Sequence, residues 1–428
     1  MKVKNQRDAG LRTLCASLVA ACPFYLTNGA SAQDTSAWTT VLDFETRYFS
    51  WERTKGNWPG QPRQNGTQSY TPFSLQTTGT PADNWKFEFL ARGGYVGTTR
   101  SALPFAPPFG VPYSTGTVAT ATDTLLTGTV TYLGFSGWQP FYTLSLNLPT
   151  GETVLLGKKG IARTDPDLVD IPAFGEGFNH EHTVGANVPI TSDIVASFSV
   201  GYTEKGAYNR EVGDISTLNG AVLPFDRVEH GNTTAFSANV AGNVGQLGFY
   251  VSGAVTLSEP DRVNSVDVFK SGRNYFLAGN LTWRWDEMWT SAVTASYVHT
   301  DKLYLADPTS GALLLEPFNS NSNLVRVEFA QTLAWQSFTF SGNVAYMRRD
   351  ANEYVPTAQS FVPAKTKWSV GGGVKYAANS RWTLSARAER FWIDEYPKPD
   401  FDPFIGFVSG LPMSYVGTMI AAGVTMTF

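Results

Sequence analysis

Cysteine and histidine are both scarce in this chain, and each scarcity excludes a class of site. The 428 residues include two cysteines, Cys15 and Cys22, both near the start. A chain without further cysteines is not built on disulfides or on thiolate metal sites. There are four histidines, of which His180 and His182 could place two imidazoles on one side of a strand. They lack an evident third ligand, so a solvated pair at a loop end is favoured over a metal site.

Charge and long apolar runs are also limited. Charged residues make up 16% of the chain, and no run approaches the roughly 18 consecutive apolar residues that indicate a transmembrane helix. The formal net charge is −4, which argues against nucleic acid as a partner because nucleic-acid binding favours a basic face. The sequence shows no glycine-rich phosphate loop and no nucleophile-elbow serine. We therefore expect no enzyme activity, no metal and no cofactor.

The first 32 residues resemble a cleaved export signal. A basic start is followed by a short apolar segment from Leu11 to Ala21, and Ala30-Ser31-Ala32 offers the small-residue cleavage pattern. An alternative is lipidation at Cys22, because Val19-Ala20-Ala21-Cys22 resembles a lipoprotein cleavage box. We favour cleavage after Ala32, which leaves residues 33–428 as one mature domain without cysteine.

From Trp38 to Phe428 the sequence repeatedly alternates apolar and polar residues with a period of two. Leu42, Phe44 and Tyr48, for example, alternate with Asp43, Glu45 and Arg47. An apolar face opposite a polar face is typical of a strand between lipid and water. Long connections rich in Pro, Gly, Asn and Asp alternate with short turns along the chain. The pattern predicts an all-β transmembrane antiparallel β-barrel of about 16 strands, within a range of 14 to 18, with short periplasmic turns and long extracellular loops.

Aromatic residues support this architecture. Tryptophans lie beside the predicted short turns or at the start of the first strand, as an aromatic girdle at the membrane surface requires: Trp38, Trp85, Trp138, Trp285, Trp289, Trp335 and Trp382. The last strand ends on Val424, Met426 and Phe428, which resembles the C-terminal signature of outer-membrane proteins that the barrel-assembly machinery reads. His299 falls near the outer end of a predicted strand and is interpreted as a polar residue of the barrel.

The third long connection, residues 149–179, is the candidate functional element. It is too long for a hairpin and carries both apolar and acidic residues, so it is expected to pack against something. A barrel of about 16 strands leaves an aqueous lumen that could receive it. The hypothesis is a pore constriction with acids on the loop and arginines on the opposite wall: Asp165, Asp167, Asp170 and Glu176 facing Arg47, Arg92, Arg326 and Arg387. In the alternative, the acids are solvated and the arginines pair with neighbouring glutamates.

Short motifs in this region resemble two channel families. Leu148-Pro149-Thr150-Gly151 and Phe174-Gly175-Glu176-Gly177 resemble the outer-membrane transporters associated with meta-pathway phenol degradation, over about 60 residues from Gln139 to Tyr202. Pro172-Ala173-Phe174-Gly175 resembles the third-loop constriction of general porins, although an acidic residue of that family is Ala173 here. Both resemblances imply a passive channel. The first implies small hydrophobic or aromatic cargo, and the second implies small hydrophilic solutes.

The sequence thus predicts passive uptake of small solutes across the outer membrane of a Gram-negative bacterium. One alternative is a route for small hydrophobic or aromatic compounds. Another is a closed barrel whose loops bind an external partner or support the envelope. The expected partners are outer-membrane lipid and lipopolysaccharide, the barrel-assembly machinery and small-molecule solutes. Cargo, oligomeric state (a homo-oligomer included) and the path of the third loop are left open by the sequence.

Overall fold

The computed structural model describes residues 38–56, 64–102, 114–153, 155, 159, 162, 164–169, 175–210, 226–307, 309–358, 360–397, 400–402, 406–408 and 412–428. The predicted signal, with Cys22 and Ala32, and the acidic residue Asp170 lie outside these residues. No helix within the described ranges is long and apolar enough to cross a membrane.

The described part of the chain forms 25 strands, of which 17 belong to one sheet. That sheet contains β1 (Thr39–Lys55), β2 (Asn65–Ala82), β3 (Trp85–Ala102), β4 (Ser114–Ala121), β5 (Thr124–Tyr132), β6 (Gln139–Leu148), β7 (Asn179–Pro189), β8 (Ile194–Lys205), β11 (Thr233–Val244), β12 (Leu247–Ser258), β15 (Asn274–Arg284), β16 (Trp289–Thr300), β19 (Leu324–Trp335), β20 (Phe338–Arg349), β21 (Lys365–Ala377), β22 (Trp382–Glu395) and β25 (Met413–Thr427). The remaining strands are β9 (Tyr208–Arg210), β10 (Asp226–Glu229), β13 (Pro260–Val263), β14 (Val266–Lys270), β17 (Tyr304–Ala306), β18 (Leu313–Leu315), β23 (Asp400–Asp402) and β24 (Gly406–Val408).

The large sheet closes into a barrel. Each strand pairs antiparallel with its neighbour, and β1 pairs with both β2 and β25. β4 and β5 both pair with β3, one above the other, so they count as a single interrupted strand. The described residues therefore form a closed antiparallel barrel of 16 strands, and the predicted fold class is confirmed. Closure pairs the backbone N–H and C=O groups that an open sheet would leave without partners along its two edge strands.

The connections sort by length as predicted. Between the described barrel strands, seven connections are short and eight are long, and the two kinds alternate. Several short turns place a residue at positive φ, as tight hairpins require: Asn84, Gly245 and Gln336. In outer-membrane barrels short turns face the periplasm and long loops face the outside of the cell, and we orient this barrel accordingly. We call the connection between β6 and β7, residues 149–178, loop 3.

The two faces of the barrel differ in polarity. In β1, Phe44 and Tyr48 point outward and are exposed, whereas Glu45, Arg47 and Trp51 point inward. The same alternation runs through the other barrel strands, and large apolar side chains cover the exterior. In water such a surface would be unfavourable, but it matches the hydrocarbon of a bilayer.

Aromatic side chains form two rows on the exterior. Six of the seven tryptophans named above flank short turns, and Trp38 precedes β1 at the same end of the barrel. All seven are between 40% and 59% exposed. A second row, which the sequence analysis missed, lies toward the outer strand ends: Tyr48, Tyr95, Tyr202, Tyr297, Trp368 and Trp392. The rows are about eight to ten residues apart along a strand, which corresponds to about 20–25 Å for strands tilted by about 40°. That distance matches the apolar band of an outer-membrane barrel, and the chain is a multi-pass barrel of the outer membrane.

Three of the long loops join in a second sheet outside the barrel. Strands β9 and β10 lie between β8 and β11 (loop 4), β13 and β14 between β12 and β15 (loop 5), and β17 and β18 between β16 and β19 (loop 6). They pair in the order β18-β17-β14-β13-β10-β9. This external sheet therefore ties loops from consecutive hairpins to one another by backbone hydrogen bonds.

Candidate functional site

The base of loop 3 rests on a β-bulge between β4 and β5. Arg92 pairs with Leu125 and Tyr95 pairs with Ala121, so three residues oppose two at this point. Such an extra residue bends a strand and redirects its side chains. Here the backbone carbonyl oxygen of Thr122 and the carboxylate of Asp123 become available to loop 3.

Asp123 holds both ends of loop 3. Its Oδ1 accepts a hydrogen bond of 2.9 Å from the backbone N–H of Gly151, at the start of the loop. Its Oδ2 accepts one of 2.9 Å from the backbone N–H of Glu176, near the end of the loop. The Asn147 side chain donates to the same oxygen at 2.7 Å. A charged acceptor makes stronger hydrogen bonds than a neutral one, so this carboxylate fixes where the loop leaves and rejoins the wall.

The first described part of loop 3 packs on the nearby wall. Leu155 and Ala162 are buried against Val96 of β3 and Val118 of β4, with Tyr70 of β2 at the edge. Both wall valines point inward, on the same strand face as Arg92 and Arg100. Loop 3 therefore turns into the barrel instead of standing out in solvent.

The middle of loop 3 is attached to strands across the barrel. Asp167 forms a bidentate ion pair with Arg349 at the end of β20, with Nε–Oδ2 and Nη2–Oδ1 distances of 2.7 and 2.8 Å. The side chains are only 4% and 14% exposed. Burial alone would raise the pKa of the Asp167 carboxyl. The hydrogen bond and charge of Arg349, followed by the charges of Lys365 and Arg326, outweigh burial and hold that pKa below its ordinary value.

Two lysines of β21 complete this attachment. Lys365 forms an ion pair with Asp165 and lies 3.5 Å from Glu395 of β22. Lys367 donates from Nζ to the backbone carbonyl of Asp167 at 3.1 Å. We call Asp165 and Asp167, together with Arg349, Lys365 and Lys367, the far-wall anchor.

Apolar packing lies directly beside the anchor. Leu168 and Val169 are buried in a cluster with Trp51 of β1 and with Phe391 and Ile393 of β22. Fully burying a side chain of this size contributes about 1.5–3 kcal/mol. The anchor thus combines charge-assisted hydrogen bonds with apolar burial.

The order of strands shows how far loop 3 reaches. Six strands separate β7 from β20 around one side of the barrel, and six separate β6 from β21 around the other. Loop 3 begins at β6, ends at β7 and is anchored at β20 and β21. It therefore crosses the full width of the barrel toward its outer end.

The residues proposed from the sequence are only partly brought together. Arg47, Arg92, Arg326 and Arg387 all lie on inward positions of their strands. Arg47 and Arg387 both bind Glu45, the latter at 2.9 Å. Their pairing with a neighbouring glutamate corresponds to the alternative that the sequence left open.

The loop acids are placed differently from the hypothesis. Asp165 pairs with Lys365 and Asp167 with Arg349, and neither faces a row of four arginines. Of those four, Arg326 helps to lower the pKa of Asp167 through its charge. Glu176 lies at the near wall beside Asp123. The functional contacts that sequence reasoning missed involve Asp123, Arg349, Lys365 and Lys367. The pairs Arg348-Arg349 and Lys365-Lys367, at the outer ends of neighbouring strands, were the available signal.

The histidines have other surroundings. His180 and His182 lie on the outward face of β7, where His182 Nδ1 is 2.6 Å from the Tyr142 hydroxyl. The pair therefore lies on one face of the first four residues of β7, directly after loop 3, where the sequence analysis placed it. His299 is also outward and contacts Asn323 at 2.7 Å. Within the described ranges, no group of three or more His, Cys, Asp or Glu residues is placed to hold a metal ion.

The C-terminal residues complete the barrel wall. Val424 and Met426 belong to β25 and pair with β1 on one side and β22 on the other. The Phe428 backbone exchanges hydrogen bonds of 2.8 and 3.1 Å with Thr40. Recognition of this segment by the assembly machinery stays a prediction, as does the girdle role of the seven tryptophans.

Comparisons with known proteins give remote likenesses. No family model and no curated protein matches the sequence. Among solved structures, a FadL homologue of Pseudomonas aeruginosa aligns with a TM-score of 0.44 at 10% identity, covering 91% of this chain and 90% of that one. OpdQ of Pseudomonas aeruginosa gives 0.43 at 10% identity, covering 91% and 98%. The outer membrane channel DcaP of Acinetobacter baumannii gives 0.41 at 12% identity, covering 91% and 97%. The fold assignment rests on the strand pairing, and the likeness to phenol-degradation transporters stays a resemblance.

Proposed function

We propose that this barrel is a passive outer-membrane channel for small hydrophilic solutes, with loop 3 as its constriction. The observation that carries the proposal is the attachment of loop 3 to both walls. A segment fixed at β6 and β7 and again at β20 and β21 narrows the lumen to the space beside it. Selection in such a pore depends on width and on the side chains that line it.

The lining favours hydrophilic over aromatic cargo. Inward positions on β5, β6 and β8 carry hydroxyl and amide side chains, including Thr127, Thr129, Ser145, Ser197 and Ser199. A route for hydrophobic or aromatic compounds would need a continuous apolar track, which these strands do not offer. Uptake of aromatic compounds is therefore the second choice.

Single-channel recording in a planar lipid bilayer tests the proposal. The purified, refolded barrel should give stable ohmic conductance steps, because an aqueous path beside the loop would conduct ions. Heat-modifiable mobility on a denaturing gel checks that the barrel is folded. Folded barrels without conductance would contradict the channel.

The external sheet supports a different candidate. Leu314 of β18 and Leu305 of β17 pair across the external sheet, share one face and are 52% and 37% exposed. An exposed apolar patch outside the cell is typical of a binding surface. A closed barrel that binds an external partner would show no conductance while keeping this sheet intact, so the same recording separates the two candidates. Outer-leaflet lipopolysaccharide, the assembly machinery and a second copy of the chain remain proposed partners.

A further inference from the structure

The inward face of the barrel is divided into two unlike walls. On five adjacent strands, β8, β11, β12, β15 and β16, the outward positions are marked by exposed residues such as Phe198, Phe236 and Leu277. The alternating inward positions of these fully described strands carry only two charged residues, Lys205 near the outer end and Arg284 near the inner end. We call this inward surface the neutral wall.

Hydroxyl and amide groups on the neutral wall bond sideways from strand to strand. The Ser199 and Ser237 hydroxyls are 2.6 Å apart. Asn280 donates to the Thr294 hydroxyl at 2.7 Å. A hydroxyl has one donor and two acceptor sites, and an amide has two of each. These lateral bonds therefore use only part of the available capacity of side chains that point into the lumen.

The opposite wall carries the charges, and many of them are committed to one another. Glu45 binds both Arg47 and Arg387. Lys86 pairs with Glu88 at 3.1 Å. At the outer end, the far-wall anchor pairs Asp165 and Asp167 with basic residues of β20 and β21. Part of the charge on this wall is thus neutralised in pairs, whereas the neutral wall offers a passing solute hydrogen-bonding dipoles.

We propose that the channel selects uncharged, hydroxyl-rich solutes such as sugars and polyols, which pass along the neutral wall. This inference rests on the proposed channel function. A hydroxyl-rich solute can exchange its hydrogen bonds to water for bonds to serine, threonine and asparagine one by one. An ion of the same size loses part of its hydration and meets charged groups on this wall only near its two ends, at Lys205 and Arg284.

The test compares three six-carbon solutes of similar size and different charge. Labelled glucose, gluconate and glucosamine are taken up by proteoliposomes in high salt, with no membrane potential. We expect glucose to enter about threefold faster or more than either charged solute. Equal or faster entry of gluconate or glucosamine would overturn the selectivity while leaving the channel in place. No entry of any solute into vesicles with folded barrels would overturn the channel itself.

Two variants locate the selectivity on the neutral wall. Asn239→Asp adds a charge with almost no change of shape and should slow gluconate further while raising cation selectivity. The pair Ser237→Ala and Asn280→Ala removes bonding groups and should slow glucose about twofold or more. Ser341→Ala, an inward hydroxyl of β20 on the charged wall, is the matched control and should leave glucose uptake unchanged. If the control slows glucose as much as the double variant does, the assignment to the neutral wall is wrong.

Discussion

Two adjacent arginines at the end of β20 have opposite surroundings. Arg349 points inward, is largely buried and holds Asp167 of loop 3. Arg348 points outward, is 59% exposed and pairs with Asp350. A buried ion pair that loses one partner leaves an uncompensated charge, whereas an exposed pair contributes little. The two positions therefore form a matched pair for mutation.

Arg349→Gln should release loop 3 from the far wall. We expect the attached state to lose about 3–5 kcal/mol, because in that state Asp167 would be buried without its partner. Single-channel recording should show larger and noisier conductance steps. Arg348→Gln should behave like the native barrel, with a change of about 0–1 kcal/mol. Indistinguishable traces from the two variants would show that the pair does not hold the constriction.

The same pair predicts how the channel responds to acid. The pKa of Asp167 is lowered in the folded protein, so its contribution is present above the ordinary aspartate pKa and is lost as the pH falls through the lowered value. Conductance should therefore stay constant from neutral pH to about pH 4, the ordinary range of an aspartate, and should increase only at more acid pH. Asp167→Asn should lack this acid step, because it has no carboxylate to protonate. An acid step that persists in Asp167→Asn must be assigned to other carboxylates.

The position of loop 3 depends on the β-bulge between β4 and β5. Asp123→Ala removes the acceptor that binds both Gly151 and Glu176, so the two ends of the loop should separate from the wall. We expect faster proteolytic cleavage within residues 149–178 of the detergent-folded barrel, with the barrel still resistant. Asp193→Ala changes an exposed acid in a periplasmic turn and should leave the cleavage rate unchanged. Equal cleavage rates in the two variants would show that Asp123 does not hold the ends of loop 3.

Sequence pattern predicts the strands of this barrel well and the path of its loop poorly. Period-two alternation depends on which face meets lipid, so it assigns Glu45 and Arg47 to the lumen correctly. The ion pair of Asp165 with Lys365 joins residues 200 positions apart, and alternation carries no information about such a contact. The bulge that directs Asp123 to the loop depends on the register with β3, which a single strand does not reveal.

The whole barrel presents an apolar band bounded by two aromatic rows. Because the rows are about 20–25 Å apart, the protein should refold most completely in bilayers with a hydrocarbon core of that thickness. Heat-modifiable mobility after refolding into lipids of graded chain length measures this. The refolding yield should fall in thicker bilayers, because polar residues beyond the two aromatic rows would then lie in the hydrocarbon. A yield that rises steadily with thickness would mean that the rows do not mark the membrane surfaces.

The external sheet has a consequence for how the cell-facing surface can vary. Its six strands are joined by backbone hydrogen bonds, which do not depend on the identity of exposed side chains such as Leu314. Substitutions there can alter what an antibody or a bacteriophage meets without changing the shape of the surface. An insertion within any of these strands would instead shift its pairing with the strands from neighbouring loops. Selection from outside the cell can therefore change the exposed side chains of this sheet freely, but it cannot change the lengths of the strands.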